Sequence, residues 1–321
     1  MIVSPGSLRT AASNLARKLV YGHVADLRPT PARTVGAGPR TTPVYRYRGL
    51  EGVVAAGPPV LLVPSPAAPA RCFDLRRGCS LAEHAVNAGR LCYLLDHGAA
   101  EWAGEVLPEA IRTVSRDASG QPVQLVGWCL GGLFSLLAAA DPDLPVASVA
   151  MIATPSRVVE PGPVRAARRV KRDYRTLANL DKTEYLAQAE ALDHFHALAE
   201  AGSGRPAQEV YSALLGDDGE IGIALDAVRV PVLAVAGRAD ALAPVTAVRP
   251  FARLLPNAPE VRFAAVPGGH LGALTGLAAR TTTWARLDRW LDEGIVRHGI
   301  RPHPRRAHAR RASRRGPATA L

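Results

Sequence analysis

The sequence predicts an α/β fold in which a mostly parallel central sheet carries helices on both faces. Three observations predict it. Short apolar, β-branched runs alternate with helix-like runs from residue 59 to 152. Those runs are apolar throughout rather than alternating, as strands buried on both faces must be. One of them, Pro122 to Val126, runs through Gly127-Trp128-Cys129-Leu130-Gly131-Gly132 straight into a helix-like segment, Leu133 to Ala140.

The elements follow in order. Residues 4 to 22 read as an amphipathic helix with Leu8, Ala12, Leu15 and Leu19 on one face, and that face is expected to pack on the body, the alternative being a partner or an apolar surface. Residues 27 to 43 are rich in Pro, Gly and Thr and read as a connector. Pro59 to Val63 reads as a strand, and Leu81 to Ala88 as a short helix with Ser80 as its N-cap. Arg90 to Leu95 reads as the next strand, and 102 to 116 as a helix. Ala147 to Ile152 reads as a strand after the Cys129 segment. Two late strands are expected at Pro231 to Ala236 and Val261 to Val266.

The chemistry concentrates at three strand ends. Strand, Gly-x-Cys-x-Gly turn and helix resemble the nucleophile elbow of α/β-hydrolases, with cysteine in place of serine. Small residues must flank so tight a turn. The helix N-terminus aimed at the sulfur favours thiolate over thiol. The N–H of Leu130 falls where an oxyanion donor is needed. This fold orders its groups nucleophile, acid, histidine. Asp240 ends the strand before Gly237-Arg238-Ala239, and His270 follows Pro267-Gly268-Gly269. Cys129 is therefore the expected nucleophile, His270 its base and Asp240 the group that orients the imidazole. Taken singly, Asp240 also reads as a turn residue bonded to its own backbone. Asp96 ends another strand but precedes the nucleophile.

Composition bounds the rest. The chain has 321 residues, 48% hydrophobic and 21% charged, which suits one large globular domain. The +11 charge is uneven: eight arginines lie in residues 297–321 with no acid among them, leaving about +3 for the body. That stretch, with Pro302, Pro304 and Pro317, reads as a disordered basic tail able to touch an anionic or granule surface, not as a specific nucleic-acid site. Cys72, Cys79, Cys92 and Cys129 show no metal-ligand spacing, and His194-Phe195-His196 is too sparse for a metal site. Neither a bound metal nor a cofactor is expected. No apolar run is long enough to span a membrane, and no signal peptide is seen, so a cytoplasmic setting is expected.

The division expected is an N-terminal helix and connector (1–43), a core (44–154 and 230–296), a helical lid insertion (155–229) and the basic tail (297–321). The insertion carries Arg165, Arg168, Arg169, Lys171 and Arg172, a solvated face or a cradle for coenzyme A phosphates.

Within the α/β-hydrolases the sequence resembles the polyhydroxyalkanoate synthases over residues 44 to 156 and 214 to 275. Gly-Trp-Cys-Leu-Gly-Gly is similar to that family's Gly-Tyr-Cys-x-Gly-Gly, and Tyr93-Leu94-Leu95-Asp96 to its Tyr-Leu-Leu-Asp-Trp. Gly237 to Asp240 and Gly268-Gly269-His270 are similar to its acid turn and Gly-Gly-His. The resemblance implies an acyl-accepting Cys129 served by Asp240 and His270, coenzyme A thioesters as substrate and a homodimer. It also implies a second oxyanion donor from the loop after the first core strand. That loop here is Ser65-Pro66-Ala67-Ala68-Pro69-Ala70, and since proline has no N–H, Ser65 and Ala67 are the candidates. Other departures are His97 for the family's Trp, the missing Trp-containing lid stretch, and Leu274-Thr275-Gly276 after the histidine. They touch the lid and product path more than the triad.

The first reading is accordingly a cysteine-dependent acyltransferase of synthase type acting on hydroxyacyl-CoA through an acyl-Cys129 intermediate. The alternative is a hydrolase of esters, thioesters or lactones, with chemistry like that of dienelactone hydrolases. A third is a non-catalytic, granule-associated relative, which the complete Cys129, Asp240 and His270 set opposes.

Overall fold

A computed structural model describes residues 5–36, 43–49, 51, 53, 56–96, 105–157, 182–201 and 225–297. Eight strands form one sheet: β1 (Ala32–Val35), β2 (Val44–Tyr47), β3 (Ala56–Val63), β4 (Arg90–Leu95), β5 (Val123–Trp128), β6 (Val146–Ile152), β7 (Val232–Gly237) and β8 (Val261–Val266). Their spatial order is β1-β2-β4-β3-β5-β6-β7-β8. From β4 to β8 the pairing is parallel, while β1 and β2 add on antiparallel. The chain runs from β3 outward to β4, then returns to lay β5 on the other side of β3. The crevice beyond the carboxyl ends of β3 and β5 is thus a topological switch point, the place where sheets of this kind hold ligands.

Helices fill the crossovers: α1 (Pro5–Tyr21), α2 (Leu81–Asn87), α3 (Leu107–Asp117), α4 (Leu130–Ala140), α5 (Thr183–Ala201), the short α6 (Val245–Val248), α7 (Phe251–Leu254) and α8 (Gly272–Thr275), and α9 (Thr283–Arg297). Every residue of β4, β5 and β7 is buried, which explains their unbroken apolar sequence. Helix α4 is apolar nearly all round, with Leu130, Leu133 and Leu136 inaccessible, and so lies in the core rather than on it. Ser80 caps α2 by accepting the Glu83 N–H at 2.9 Å, an interaction that contributes about 1 kcal/mol.

The sequence boundaries of β4 and β8 coincide with the observed ones, and the other core strands differ by a few residues. Two expectations need correction. The stretch 27–43 is not wholly a connector, because β1 lies inside it and pairs with β2 along four residues each. Asp117 holds this edge in place: it accepts from Arg33 of β1 at 2.9 Å, Arg46 of β2 at 2.8 Å and the Tyr93 hydroxyl of β4 at 2.7 Å. The carboxylate is drawn below its usual range by these partners, which outweigh its partial burial.

The second correction concerns α1. Leu8, Leu15 and Leu19 are exposed, and the helix meets the body through its polar side. Asn14 is buried and donates to the Thr183 hydroxyl of α5 at 2.9 Å. Lys18 pairs with Glu190 of α5 at 3.1 Å, and Glu190 also takes the N–H groups of Val24 and Ala25. Those backbone donors need an acceptor once buried, so the polar face wins the contact.

Of the expected lid, α5 and the flanking residues 155–157, 182 and 225–229 are described; the cluster from Arg165 to Arg172 and the tail from residue 298 lie outside the described residues. Helix α5 is clasped to the body. Arg76 is buried and donates to Gln188 at 3.1 Å and Glu184 at 2.8 Å, while Gln188 donates to the Thr275 carbonyl at 2.9 Å. Phe195 is buried between His194 and His196, whose two-residue spacing turns them apart on the helix. Among the described residues no group of three or more His, Cys, Asp or Glu is placed to hold a metal, and no helix is long and apolar enough to cross a membrane. All four cysteines are free.

Candidate active site

The turn between β5 and α4 is built by close approach. Cys129 has φ 56° and ψ −126°, a backbone conformation that costs a side-chain-bearing residue about 1–3 kcal/mol and persists only when its surroundings hold it. They do so here. The Cys129 N–H donates to the Ile152 carbonyl at 2.9 Å, and its own carbonyl accepts from the Thr154 hydroxyl at 2.8 Å and the Gly132 N–H at 3.0 Å. A Cβ on Gly131 would overlap the Val63 carbonyl and Pro64, so only glycine lets the start of α4 pass the end of β3. Cys129 is 8% exposed, with its sulfur at the switch-point crevice.

The other two groups come from β7 and β8, paired in register from Val232–Val261 to Gly237–Val266. The loops beyond them are stitched together: the Arg238 N–H donates to the Val266 carbonyl at 2.8 Å, and that of Ala239 to the Gly268 carbonyl at 3.0 Å. Gly268 has φ 111° and abuts Gly272 and Ala273 so closely that a Cβ has no room. This delivers His270 to Asp240. The imidazole Nδ1–H donates to Asp240 Oδ2 at 2.9 Å, while Oδ1 accepts the N–H groups of Leu242 at 2.9 Å and Ala243 at 2.8 Å. The two sequence readings of Asp240, turn residue and partner of His270, are both met by one carboxylate.

With Nδ1 engaged, Nε2 is left for the Cys129 sulfur, which lies near enough to favour the charged ring. Burial disfavours the charged ring. The Cys129 sulfur and the Asp240 carboxylate outweigh it and push His270 up to about 10. Asp96, the rival acid, sits at the end of β4, and it is Asp240 that His270 engages.

One residue of the site was missed from the sequence. Trp128 is buried, its indole N–H donates to the His270 carbonyl at 3.1 Å, and its ring lies 5.1 Å from the imidazole at 48°. The available signal was an aromatic beside the nucleophile.

The oxyanion candidates are placed unequally. Leu130 opens α4, where no carbonyl one turn earlier takes its N–H. Val63 pairs with Gly127, so Pro64 and Ser65 run past the start of α4, and Ser65 is buried there. Ala67 is set back: its N–H donates to Ser65 Oγ at 3.3 Å. The short loop folds on itself, and that contact competes with any role for Ala67 as donor.

No family model matches the chain. A pimeloyl-[acyl-carrier protein] methyl ester esterase of Xanthomonas oryzae pv. oryzae, found in two strains, is 32% identical over 180 residues, taking in 51% of this chain and 69% of that enzyme. The chain belongs to the α/β-hydrolase superfamily. Solved structures agree on the fold: the α/β-hydrolase sheet superposes on carboxylesterase CesB of Bacillus subtilis with a TM-score of 0.50 at 16% identity, covering 91% of this chain and all of that one. Naproxen esterase of the same organism gives 0.50 at 11% identity over 90% and 99%. The two solved structures speak to the fold alone; the Xanthomonas relative is by its name an ester hydrolase.

Proposed function

We propose that the protein is a cysteine-dependent hydrolase of carboxylic esters and acyl thioesters. The observation that carries the proposal is the His270–Asp240 hydrogen bond at the strand ends that also bear Cys129, at the switch point of the sheet. The esterase relative supports the same reaction class.

The residues divide the work as follows. With His270 raised to about 10, the proton of the Cys129–His270 pair already rests on the imidazole when Cys129 Sγ bonds to the substrate carbonyl carbon. The Leu130 N–H, with Ser65 as second donor, faces the oxygen that becomes negative. Asp240 holds the imidazole in the tautomer that leaves Nε2 basic and offsets its charge once protonated. The tetrahedral adduct collapses and the carbon–oxygen or carbon–sulfur bond breaks. His270 gives its proton to the departing alkoxide or thiolate. Water then loses a proton to His270 and attacks the acyl-Cys129 thioester. The acid is released, Cys129 Sγ departs from the acyl carbon, and His270 keeps the proton of the starting pair.

A second reading keeps the same acyl-enzyme and replaces water by the hydroxyl of another acyl unit, as in polyhydroxyalkanoate synthases. The cysteine nucleophile and the motifs around it favour that reading. Coenzyme A would then be the leaving group, and no cofactor is required in either case.

The test is intact mass spectrometry with product analysis on 3-hydroxybutyryl-CoA and p-nitrophenyl butyrate, beside Cys129→Ala. Hydrolysis predicts free acid from the wild type, a transient adduct of one acyl mass, and no turnover by the variant. An adduct that grows by repeated acyl units would establish the synthase reading instead. Turnover that survives Cys129→Ala would remove both.

A further inference from the structure

We propose that α1 is a surface anchor that seats the protein on an anionic lipid surface. The helix is inverted. An amphipathic helix on a globular body normally turns its apolar stripe inward, whereas α1 turns it out. Leu8, Leu15 and Leu19 are 59%, 46% and 78% exposed, and Ala12, between them in the stripe, is exposed as well. Val20 and Tyr21 extend the exposed apolar surface at the end of the helix. Of the large hydrophobic side chains exposed among the described residues, most belong to this one helix.

The inversion is built in rather than incidental. Asn14 and Lys18 fix the opposite side to α5 through Thr183 and Glu190, and Glu190 also ties the chain just after α1 through Val24 and Ala25. The stripe is therefore held outward on a rigid support.

Charge selects the occupant. The first acid in the sequence is Asp26, while Arg9, Arg17 and Lys18 all lie in α1. At about 100° per residue, Arg9 falls on one border of the leucine stripe, while Lys18, near the other, is engaged by Glu190. An apolar face with a cation on its border and no acid anywhere on the helix suits a lipid interface, where leucines enter the acyl boundary and a long cationic side chain reaches the phosphates. A second copy of this chain fits less well. Packing stripe on stripe would line the seam with cations from both copies and no carboxylate from either helix. An anionic lipid surface supplies both the apolar depth and the counter-charge.

The test is co-sedimentation of the full-length chain with vesicles of phosphatidylglycerol and, separately, of phosphatidylcholine. The wild type should bind the anionic vesicles, more weakly as salt rises, and the zwitterionic ones at least about tenfold less. Leu8→Ser, Leu15→Ser and Leu19→Ser combined should lower binding by at least about tenfold, with ester hydrolysis unchanged. A second variant guards against misfolding of the first: Leu19→Trp should shift its emission to the blue on the anionic vesicles. Absence of binding to anionic vesicles overturns the proposal. So does binding that survives the triple serine variant but is lost when Arg305, Arg306, Arg310, Arg311, Arg314 and Arg315 are replaced by serine, since the tail would then be the anchor. Self-association of the wild type that the triple variant abolishes would assign the stripe to a second copy and overturn it as well.

Discussion

The indole of Trp128 holds His270 from two sides: its N–H donates to the histidine carbonyl at 3.1 Å, and its ring packs on the imidazole at 5.1 Å. Trp128 immediately precedes Cys129. The residue beside the nucleophile thus sets the position of the base.

Trp128→Phe keeps a ring and removes the donor. A hydrogen bond of this kind contributes about 1 kcal/mol, so kcat should fall about fivefold to tenfold while KM hardly moves. Trp128→Ala removes both contacts and should cost more. Steady-state kinetics across pH decide the case, because a purely structural role would lower the folded fraction without shifting the profile.

Asp240→Asn leaves an acceptor for Leu242 and Ala243 but removes the charge facing His270. Turnover should fall by about 10³–10⁴. Burial would then weigh more heavily against the charged imidazole, so the His270 titration should move down from about 10, an outcome that NMR of the ring protons reads directly.

The raised His270 value also makes a stability statement. Its folded-state value lies above the unfolded one near 6.5, so the contribution is fully present below that value and is lost as pH rises through about 10. Thermal melts should show stability falling across this window in the wild type. Cys129→Ala removes the largest favourable influence on the ring and should shift the loss to lower pH.

Gly131→Ala forces a Cβ onto the Val63 carbonyl and Pro64. The start of α4 must move away from β3, at a cost of about 1–3 kcal/mol. Denaturant unfolding should register that loss. Activity should fall further than stability does, because Leu130 and Ser65 meet across this gap.

Asp117→Asn loosens the edge formed by β1 and β2. Three charged or hydroxyl donors lose their carboxylate, and about 1–3 kcal/mol should go with it at neutral pH. The folded Asp117 titrates below its ordinary value, so its contribution is present above that value and disappears as acid is added. The difference between wild type and variant should therefore shrink at low pH, as parallel pH-dependent melts would show.

How much of this was legible in the sequence depended on the range of the force that decides each element. The parallel strands were readable because both faces are buried, and burial leaves an unbroken apolar record, as in Arg90 to Leu95 and Val232 to Gly237. Cys129, Asp240 and His270 were readable because each follows a strand with small residues beside it. The β1–β2 edge was not, because its four-residue strands are held by Asp117, about 70 or more residues away in sequence. The outward face of α1 was hidden for a similar reason. Its stripe is plain in the sequence, but which side docks is set by Glu190 and Thr183 on α5. The contact of the Ala67 N–H with Ser65 was not legible, because the sequence of the loop does not reveal the turn that brings the two together.

Sulfur at the elbow gives the proposed mechanism a set of vulnerabilities that a hydroxyl would not. A hydroxyl in that position is inert to peroxide, whereas a thiol climbs to the sulfenic acid and can be brought back by a reductant. Where the turn presents Cys129 to substrate, it presents it equally to oxidants and alkylating agents. On the proposed mechanism, catalytic output follows the thiol–disulfide balance of the surroundings.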